Sequence, residues 1–549
     1  MAEGGESSAS TSIKEEDNTP EELKKKPVEI RISVFFDGTG NNRGNIAARK
    51  GGEHSNVYST VKSQNSDASK YASFEAGYSN VSILEEQFES TTECKIFKPF
   101  YIEGVATRDI KRVAEEYAQK VRARAEFNKN RAPRHQSKVP IEMETDSTVG
   151  NAAALGATGL YAKVDAAFNK IQFWLMDEVF GATDPDGDTI TDKTHEFTKI
   201  VVDVFGFSRG AATARHFIHH VLNEPRTIVT PIPKNVLNPF APARLRTYDV
   251  TTRTLKQAIE SFGYEVKDDA VEIGFAGLFD TVSSYVVALT TDVKILHLDA
   301  IKHARKVYHL ASAEEHRACF SLTNIHSAKT AGIGEEYFLP GVHSDIGGGY
   351  RDLNDGGGES EKYDLMNDDK TTIAFYQSTR TAGLTLDYHA FMGTLADEGW
   401  YKPSAQDKWY TSSDQPEKEA EMWLEKGAWW SGIIFTDVAL KAKRSGIAHE
   451  YRYIPLQLMA EAMEKEQFKF KPNLKSKYKV SGNLSSIDQR IRNYVSTIGN
   501  HSKAEDWFTK QDGQLKTLRH KHLHYSARID TGHWPRFKNQ KRYRQYYDG

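Results

Sequence analysis

Acyl transfer needs a nucleophile, a base to take its proton, a carboxylate to orient that base, and N–H donors for the oxyanion that develops. The chain carries residues of these types at three separated points. Ser208 is the centre of Gly206-Phe207-Ser208-Arg209-Gly210, a G-x-S-x-G sequence; Asp280 follows Gly277-Leu278-Phe279; His343 follows Pro340-Gly341-Val342. Each directly follows a run with strand character. The order Ser, Asp, His is that of serine hydrolases whose triad residues leave the carboxyl ends of strands. In this reading Ser208 attacks an ester carbonyl, His343 takes the proton and returns it to the leaving alcohol, and Asp280 holds the imidazole. The Arg209 amide donates to the oxyanion, with Gly38 or Thr39 as the second donor. Rival groups exist. Asp203 lies within the strand before the serine and reads as structural. Asp249 follows a poorly apolar run, and Asp345 suits shaping the histidine loop better than orienting the ring. His309, His316 and His326 compete with His343. The alternation His520, His522, His524 reads as a solvated basic strand.

These side chains require elements that hold them. Residues 200–205 are β-branched or aromatic and read as a buried strand, and residues 211–222 as a helix with a small-residue start. The glycines at 206 and 210 let strand and helix pass close to a serine on a sharp elbow. Residues 28–36 form another strand, ending in Asp37-Gly38-Thr39-Gly40-Asn41-Asn42, a glycine-rich turn whose N–H groups can face an anion. That turn lacks the Lys-Ser/Thr of a phosphate-binding P-loop. Further strands are expected at 94–102, 271–279 and 337–342, and helices at 80–89, 108–127, 151–180, 292–309 and 311–320. Asp184, Asp186, Asp188 and Asp192 lack the twelve-residue calcium pattern with its terminal Glu, and no H-E-x-x-H or C-x-x-C sequence is present. No metal and no cofactor is expected.

With 549 residues the chain exceeds one ordinary core. A formal charge of -3 gives no global attraction to nucleic acid, so no nucleic-acid partner is expected. Two cysteines, Cys94 and Cys319, make no disulfide framework and suit a reducing compartment. No run of about 18 apolar residues is long enough to cross a bilayer. The polar, charged beginning lacks the apolar core of a Sec signal peptide, so residues 1–27 read as a disordered tail and any export must use another machine.

Five blocks occur in order: Phe36-Asp37-Gly38-Thr39-Gly40-Asn41, Gly206-Phe207-Ser208-Arg209-Gly210-Ala211, Gly277-Leu278-Phe279-Asp280-Thr281-Val282, Ala313-Glu314-Glu315-His316-Arg317, and Pro340-Gly341-Val342-His343-Ser344-Asp345-Ile346-Gly347-Gly348-Gly349-Tyr350. Together they resemble the α/β-hydrolase domain of the first family of type VI secretion lipase effectors. The resemblance implies a phospholipase of the A type, made in the cytoplasm and injected into rival cells, there to hydrolyse membrane glycerophospholipids in the periplasm or membrane. It implies a Ser-Asp-His triad at Ser208, Asp280 and His343, a spike protein as carrier, and a cognate immunity protein.

The expected architecture is an α/β-hydrolase-like, mostly parallel sheet with helices on both faces, long insertions and a C-terminal accessory lobe. The catalytic domain spans 28–352 and the accessory region 353–549, packed on it. Seven of the eight tryptophans lie after residue 371, and residues 516–549 carry nine Lys/Arg against two Asp. Tryptophan and basic residues favour a membrane surface, which makes this region a candidate lipid-facing lobe, against an ordinary lobe with an aromatic core. Two other functions stay open on the residues alone: an esterase of soluble esters, and a hydrolase-like binding scaffold with an inert elbow.

Overall fold

In the computed structural model the residues around 28–36 form β1 (Lys26–Phe36), which lies inside a parallel sheet rather than at its edge. Its partners are β2 (Ile96–Ile102) on one side and β3 (His195–Phe207) on the other. Beyond β3 follow β4 (Val271–Phe279), β5 (Ala304–Ser312) and β6 (Gly334–Leu339), so the order is β6-β5-β4-β3-β1-β2, with the short strand Glu265–Val266 also paired to β3. All these pairings are parallel. The chain moves outward from β1 to β2, then crosses back to β3 and continues the other way. In open parallel sheets such a switch point leaves a crevice at the carboxyl ends, where ligands bind.

The structure describes residues 24–65, 70–129, 131–132, 136, 141, 143, 145–146, 158–223, 228–233, 243–248, 254–283, 293–351, 371–376, 388–404, 409–410, 419–430, 435–442, 444, 446–508, 512–527, 535–538 and 541–549. Most of the expected tail, Asp249 and the acidic stretch 352–370 lie outside these.

Both faces of the sheet are apolar, as a strand alternating between two buried layers requires. Ile30, Ile32, Val34 and Phe36 of β1 and Ile200, Val202 and Val204 of β3 point to one layer. There α2 (Leu160–Trp174) and α3 (Arg209–Leu222) cover them. Phe35, Phe205, Phe207, Phe275 and Phe279 point to the other layer, where Phe35 and Phe205 stack with centroids 4.3 Å apart. This second face is covered by α1 (Asn80–Gln87) and by α4 (Tyr453–Lys465), a helix from the C-terminal third. Contact is close: a Cβ on Gly277 would sit 2.9 Å from Met459 Sδ. A buried polar cluster interrupts this layer. Asp203 is fully buried and accepts from Arg31 Nε at 2.8 Å, Ser33 Oγ at 2.9 Å and the Phe275 N–H at 2.9 Å, which ties β1, β3 and β4 together and makes it structural.

Several expectations about elements are corrected. The helix expected at 292–309 is not seen in its described part, from residue 293: a 3-10 turn at Leu298–His303 leads into β5. Residues 313–320, expected to be helical, form an irregular loop. β5 is buried between β4 and β6, so its apolar run lacks alternation, and periodicity alone does not separate such a strand from a helix. The expected long helix 151–180 is seen as α2 from Leu160, followed by a π-turn at Leu175–Val179. His520 and His522 lie on α5 (Gly513–His522) rather than on a strand. Among the described residues no helix is long and apolar enough to cross a membrane.

Candidate active site

Ser208 caps the start of α3 with φ 59° and ψ -128°, a conformation that side chains with a Cβ rarely adopt. The elbow is held so tightly that a side chain at either glycine would press on neighbouring backbone. A Cβ on Gly210 would lie 2.2 Å from the Asp37 carbonyl oxygen at the end of β1, and one on Gly206 would lie 2.5 Å from Ala211 Cα. The elbow is also fastened to the next strand: Ser208 N–H donates to the Phe279 carbonyl at 3.1 Å, and Val282 N–H donates to the Ser208 carbonyl at 3.2 Å. Arg209 is the first helical residue, among the amides that no intrahelical carbonyl accepts from. The dipole of this 14-residue helix favours negative charge at that end.

Asp280 sits one residue past β4 with φ 44°, its N–H donating to the Leu310 carbonyl at 2.8 Å. His343 follows the turn after β6. Its Nδ1 lies 2.5 Å from Asp280 Oδ2, and both side chains are almost wholly buried. Phe207 and Phe320 flank the imidazole, with ring centroids 4.6 and 4.9 Å away. The His343 N–H donates to Glu315 Oε2 at 3.3 Å. Burial, the largest influence, holds the imidazole below its ordinary pKa against the opposing pull of Asp280, with Arg317 adding to the depression. Burial alone would push the Asp280 carboxyl up, but Arg544 and His343 reverse this and hold it well below the carboxylate range. Asp345 does not face the ring. It accepts from the Val342 N–H at 3.0 Å and from His524 Nδ1 at 2.8 Å, pinning the turn that carries His343.

The rival histidines are committed elsewhere. His309 has Nδ1 2.9 Å from Glu336 and its Nε2 accepts from the Thr281 N–H at 3.1 Å, so it braces the loop after Asp280. His316 lies 3.1 Å from the Tyr525 hydroxyl, and burial pulls its pKa down to about 3. His326 opens a five-residue helix beyond this cluster.

The structure thus brings Ser208, Asp280 and His343 to the carboxyl edge of one sheet, with Ser208 beside its switch point. Among the described hydrogen bonds none joins the Ser208 hydroxyl to the imidazole; such contacts often close only when substrate is bound. One expectation is corrected. Gly38 N–H donates to Asp37 Oδ1 at 2.7 Å and is not available to an oxyanion. The glycine is needed for another reason, since a Cβ there would lie 2.3 Å from the Phe207 ring. Asp37 also accepts from the Tyr101 hydroxyl at 2.6 Å, so it fixes the turn after β1. Thr39 is tied to the elbow by Arg209 Nε, which donates to its Oγ1 at 2.8 Å.

One residue escapes sequence reasoning. Arg544 donates from Nη1 to Asp280 Oδ1 at 2.6 Å and from Nη2 to Oδ2 at 2.8 Å. In the sequence it is one basic residue in a basic run, and nothing marks it off from its neighbours. Among the described residues no group of three His, Cys, Asp or Glu is placed to hold a metal ion. A cavity of about 350 Å³ beside β2, lined by residues that include Arg43, Tyr101 and Lys170, contains none of the three candidate catalytic residues.

Comparison with known proteins bears on this site. A family model described as the catalytic domain of the Tle1-like phospholipase effectors of type VI secretion matches residues 31–368. A comparison with curated proteins returned no match. Among solved structures, the Tle1 effector bound to the VgrG spike from the type 6 secretion system is similar, with 18% identity and a TM-score of 0.49 over 93% of this chain and 88% of that one. An uncharacterized protein from Pseudomonas aeruginosa is similar at 16% identity and a TM-score of 0.33, over 88% of this chain and 52% of that one.

Proposed function

The chain belongs to the Tle1-like phospholipase effectors of type VI secretion, and on that premise we propose that it is a serine hydrolase cleaving acyl esters of membrane glycerophospholipids through Ser208, His343 and Asp280. The observation that carries the reading is the buried Asp280–His343 pair at 2.5 Å, with the backbone of the Asp280 loop bonded to the Ser208 elbow. Ser208 Oγ attacks the ester carbonyl while His343 Nε2 takes its proton. Asp280 keeps the Nδ1 proton in place and stabilises the imidazolium. The amides of Arg209 and Thr39 stabilise the tetrahedral oxyanion, with the start of α3 behind them. The imidazolium then protonates the leaving lysophospholipid alcohol, and water repeats the cycle on the acyl-enzyme.

Family membership supports a route of delivery. A spike protein of the secretion machine carries the chain, its target is the membrane or periplasm of a rival bacterium, and an immunity protein protects the producer. Residues 28–352 form the catalytic domain and 353–549 an accessory region that packs on it.

The test is fatty-acid release from phospholipid vesicles by the parent and by Ser208→Ala. Loss of a catalytic serine costs about 10⁴-fold or more in kcat, so release by the variant should fall to near background. A fluorophosphonate probe should label the parent at Ser208 and leave the variant unlabelled. Undiminished release by Ser208→Ala overturns the assignment, and an unlabelled, inactive parent points to a binding scaffold. Mass spectrometry of products from a mixed-acyl phospholipid identifies the acyl position cut.

A further inference from the structure

We infer that Arg544 is a positioning residue of the acyl-transfer site, and that residues 541–547 form a strap whose catalytic contribution is to deliver its guanidinium to Asp280. The inference rests on the reading that Asp280 orients His343. A buried carboxylate facing a single imidazole has two ways to fail: it can take up a proton, or it can rotate so that neither oxygen faces Nδ1. The contacts of Asp280 close both routes. Oδ1 accepts from the Ser312 N–H at 2.8 Å, the Ser312 hydroxyl at 3.1 Å and Arg544 Nη1 at 2.6 Å, while Oδ2 faces His343 Nδ1 at 2.5 Å and accepts from Arg544 Nη2 at 2.8 Å. The planar fork grips both oxygens at once, which a point charge does not do.

The guanidinium is itself fixed. Its side chain is 2% exposed, and Nη1 also donates to the Ser312 carbonyl at 2.8 Å. Nε and Nη2 donate to the Phe320 carbonyl at 3.3 and 3.2 Å. Phe320 is the residue whose ring packs against His343. One side chain therefore joins the Asp280 loop, the end of β5 and the wall beside the imidazole. The strap is sewn to that wall: Leu322 N–H donates to the Gln545 carbonyl at 2.9 Å, Asn324 N–H donates to the Tyr547 carbonyl at 3.0 Å, and Tyr546–Tyr547 pairs in parallel with Leu322–Thr323.

The experiment compares full-length parent, Ser208→Ala, Arg544→Ala and Arg544→Lys in steady-state hydrolysis across pH, with thermal unfolding to measure the folded fraction. Arg544→Ala should lose about 10²-fold in kcat, the scale of a misplaced catalytic group, with KM close to the parent's. Without the fork Asp280 can take up a proton or turn from Nδ1, so the pH profile of kcat/KM should differ from the parent's. Guanidinium ion at sub-denaturing concentration should restore part of the Arg544→Ala rate, and Arg544→Lys should fall between the two. A folded Arg544→Ala with parental kcat and pH profile overturns the inference. If that variant does not fold, Arg544→Lys decides: a folded protein with lowered kcat and unchanged KM supports positioning. Parental kcat in it, or a loss accounted for by KM or by the folded fraction alone, refutes positioning. Parental activity in Ser208→Ala sinks the triad reading instead, separately from these outcomes.

Discussion

Six non-glycine residues among those described have positive φ, and two of them are Ser208 and Asp280. Each such position costs on the order of 1–3 kcal/mol and persists only where its surroundings over-determine it. Here those surroundings are the bonds from Ser208 to Phe279 and Val282, and from Asp280 to Leu310. Strain at two of the three proposed catalytic positions fits a site in which side-chain direction is set by backbone rather than by soft rotamers. The same burial sets the pH response. His343 must be neutral to act as base, and burial with Arg317 nearby holds its pKa below the ordinary 6.5. A lowered pKa keeps the base form present at more acid pH, so kcat/KM should fall only along a limb below 6.5. A pH–rate profile in non-ionic micelles measures this. Replacing Arg317 by Gln removes a cation that disfavours the imidazolium, and the limb should then move up. A limb above 6.5 in the parent, or one that does not move, contradicts the assignment of His343.

At the scale of elements, the elbow works because β1, β3 and α3 approach more closely than side chains allow. Gly210→Ala places a methyl 2.2 Å from the Asp37 carbonyl. β1 or α3 must then shift, at a cost of about 1–3 kcal/mol in overpacking and about 10²-fold in rate for a displacement near 1 Å. The variant should fold, melt a few degrees lower and hydrolyse vesicles far more slowly; unchanged turnover would mean that the elbow is not where the chemistry happens. Much of this arrangement is legible in the sequence. The strand runs ending at Phe36, Phe205 and Phe279 stand out because each precedes a turn sequence, and so do the positions of Ser208, Asp280 and His343. What stays hidden depends on distant parts of the chain. β5 reads as helix because burial on both faces removes its alternation. The role of Ala313-Glu314-Glu315-His316-Arg317 is invisible until the C-terminal segment is placed on it: Glu314 receives Arg519 Nε at 2.6 Å, Glu315 receives the Ser526 hydroxyl at 3.0 Å, and His316 meets Tyr525. Three of the basic residues counted as a membrane-facing charge, Arg519, Arg542 and Arg544, are buried against Glu314, Glu398 and Asp280.

At the scale of the molecule, those contacts make the last third of the chain part of the site's support. Trp400 and Trp507 are core residues, and Trp507 Nε1 donates to the Phe338 carbonyl of β6 at 2.8 Å. α4 buries Ile454, Leu456, Leu458, Met459 and Met463 in the same apolar layer as Phe35, Phe205 and Phe275. Each such side chain contributes about 1.5–3 kcal/mol on burial. Removing five of them, before counting the bared face of the sheet, consumes the roughly 5–15 kcal/mol by which a domain is stable. A chain ended after residue 352 keeps Ser208, Asp280, His343 and the six long strands of the parallel sheet, yet it loses α4 and Arg544. It should therefore bind a hydrophobic dye, lack near-ultraviolet circular dichroism and melt without a cooperative transition, which are the marks of secondary structure without fixed packing. Fatty-acid release by this fragment should be at background, and the fluorophosphonate probe should not label it. A cooperative melt near the parent's Tm would show that the two parts fold independently. The bonds from Arg519, Tyr525 and Arg544 to the catalytic loops would then join two finished units. The shared layer beneath β3 and β4 argues the reverse: most of the buried apolar residues in that layer come from the chain that follows the histidine.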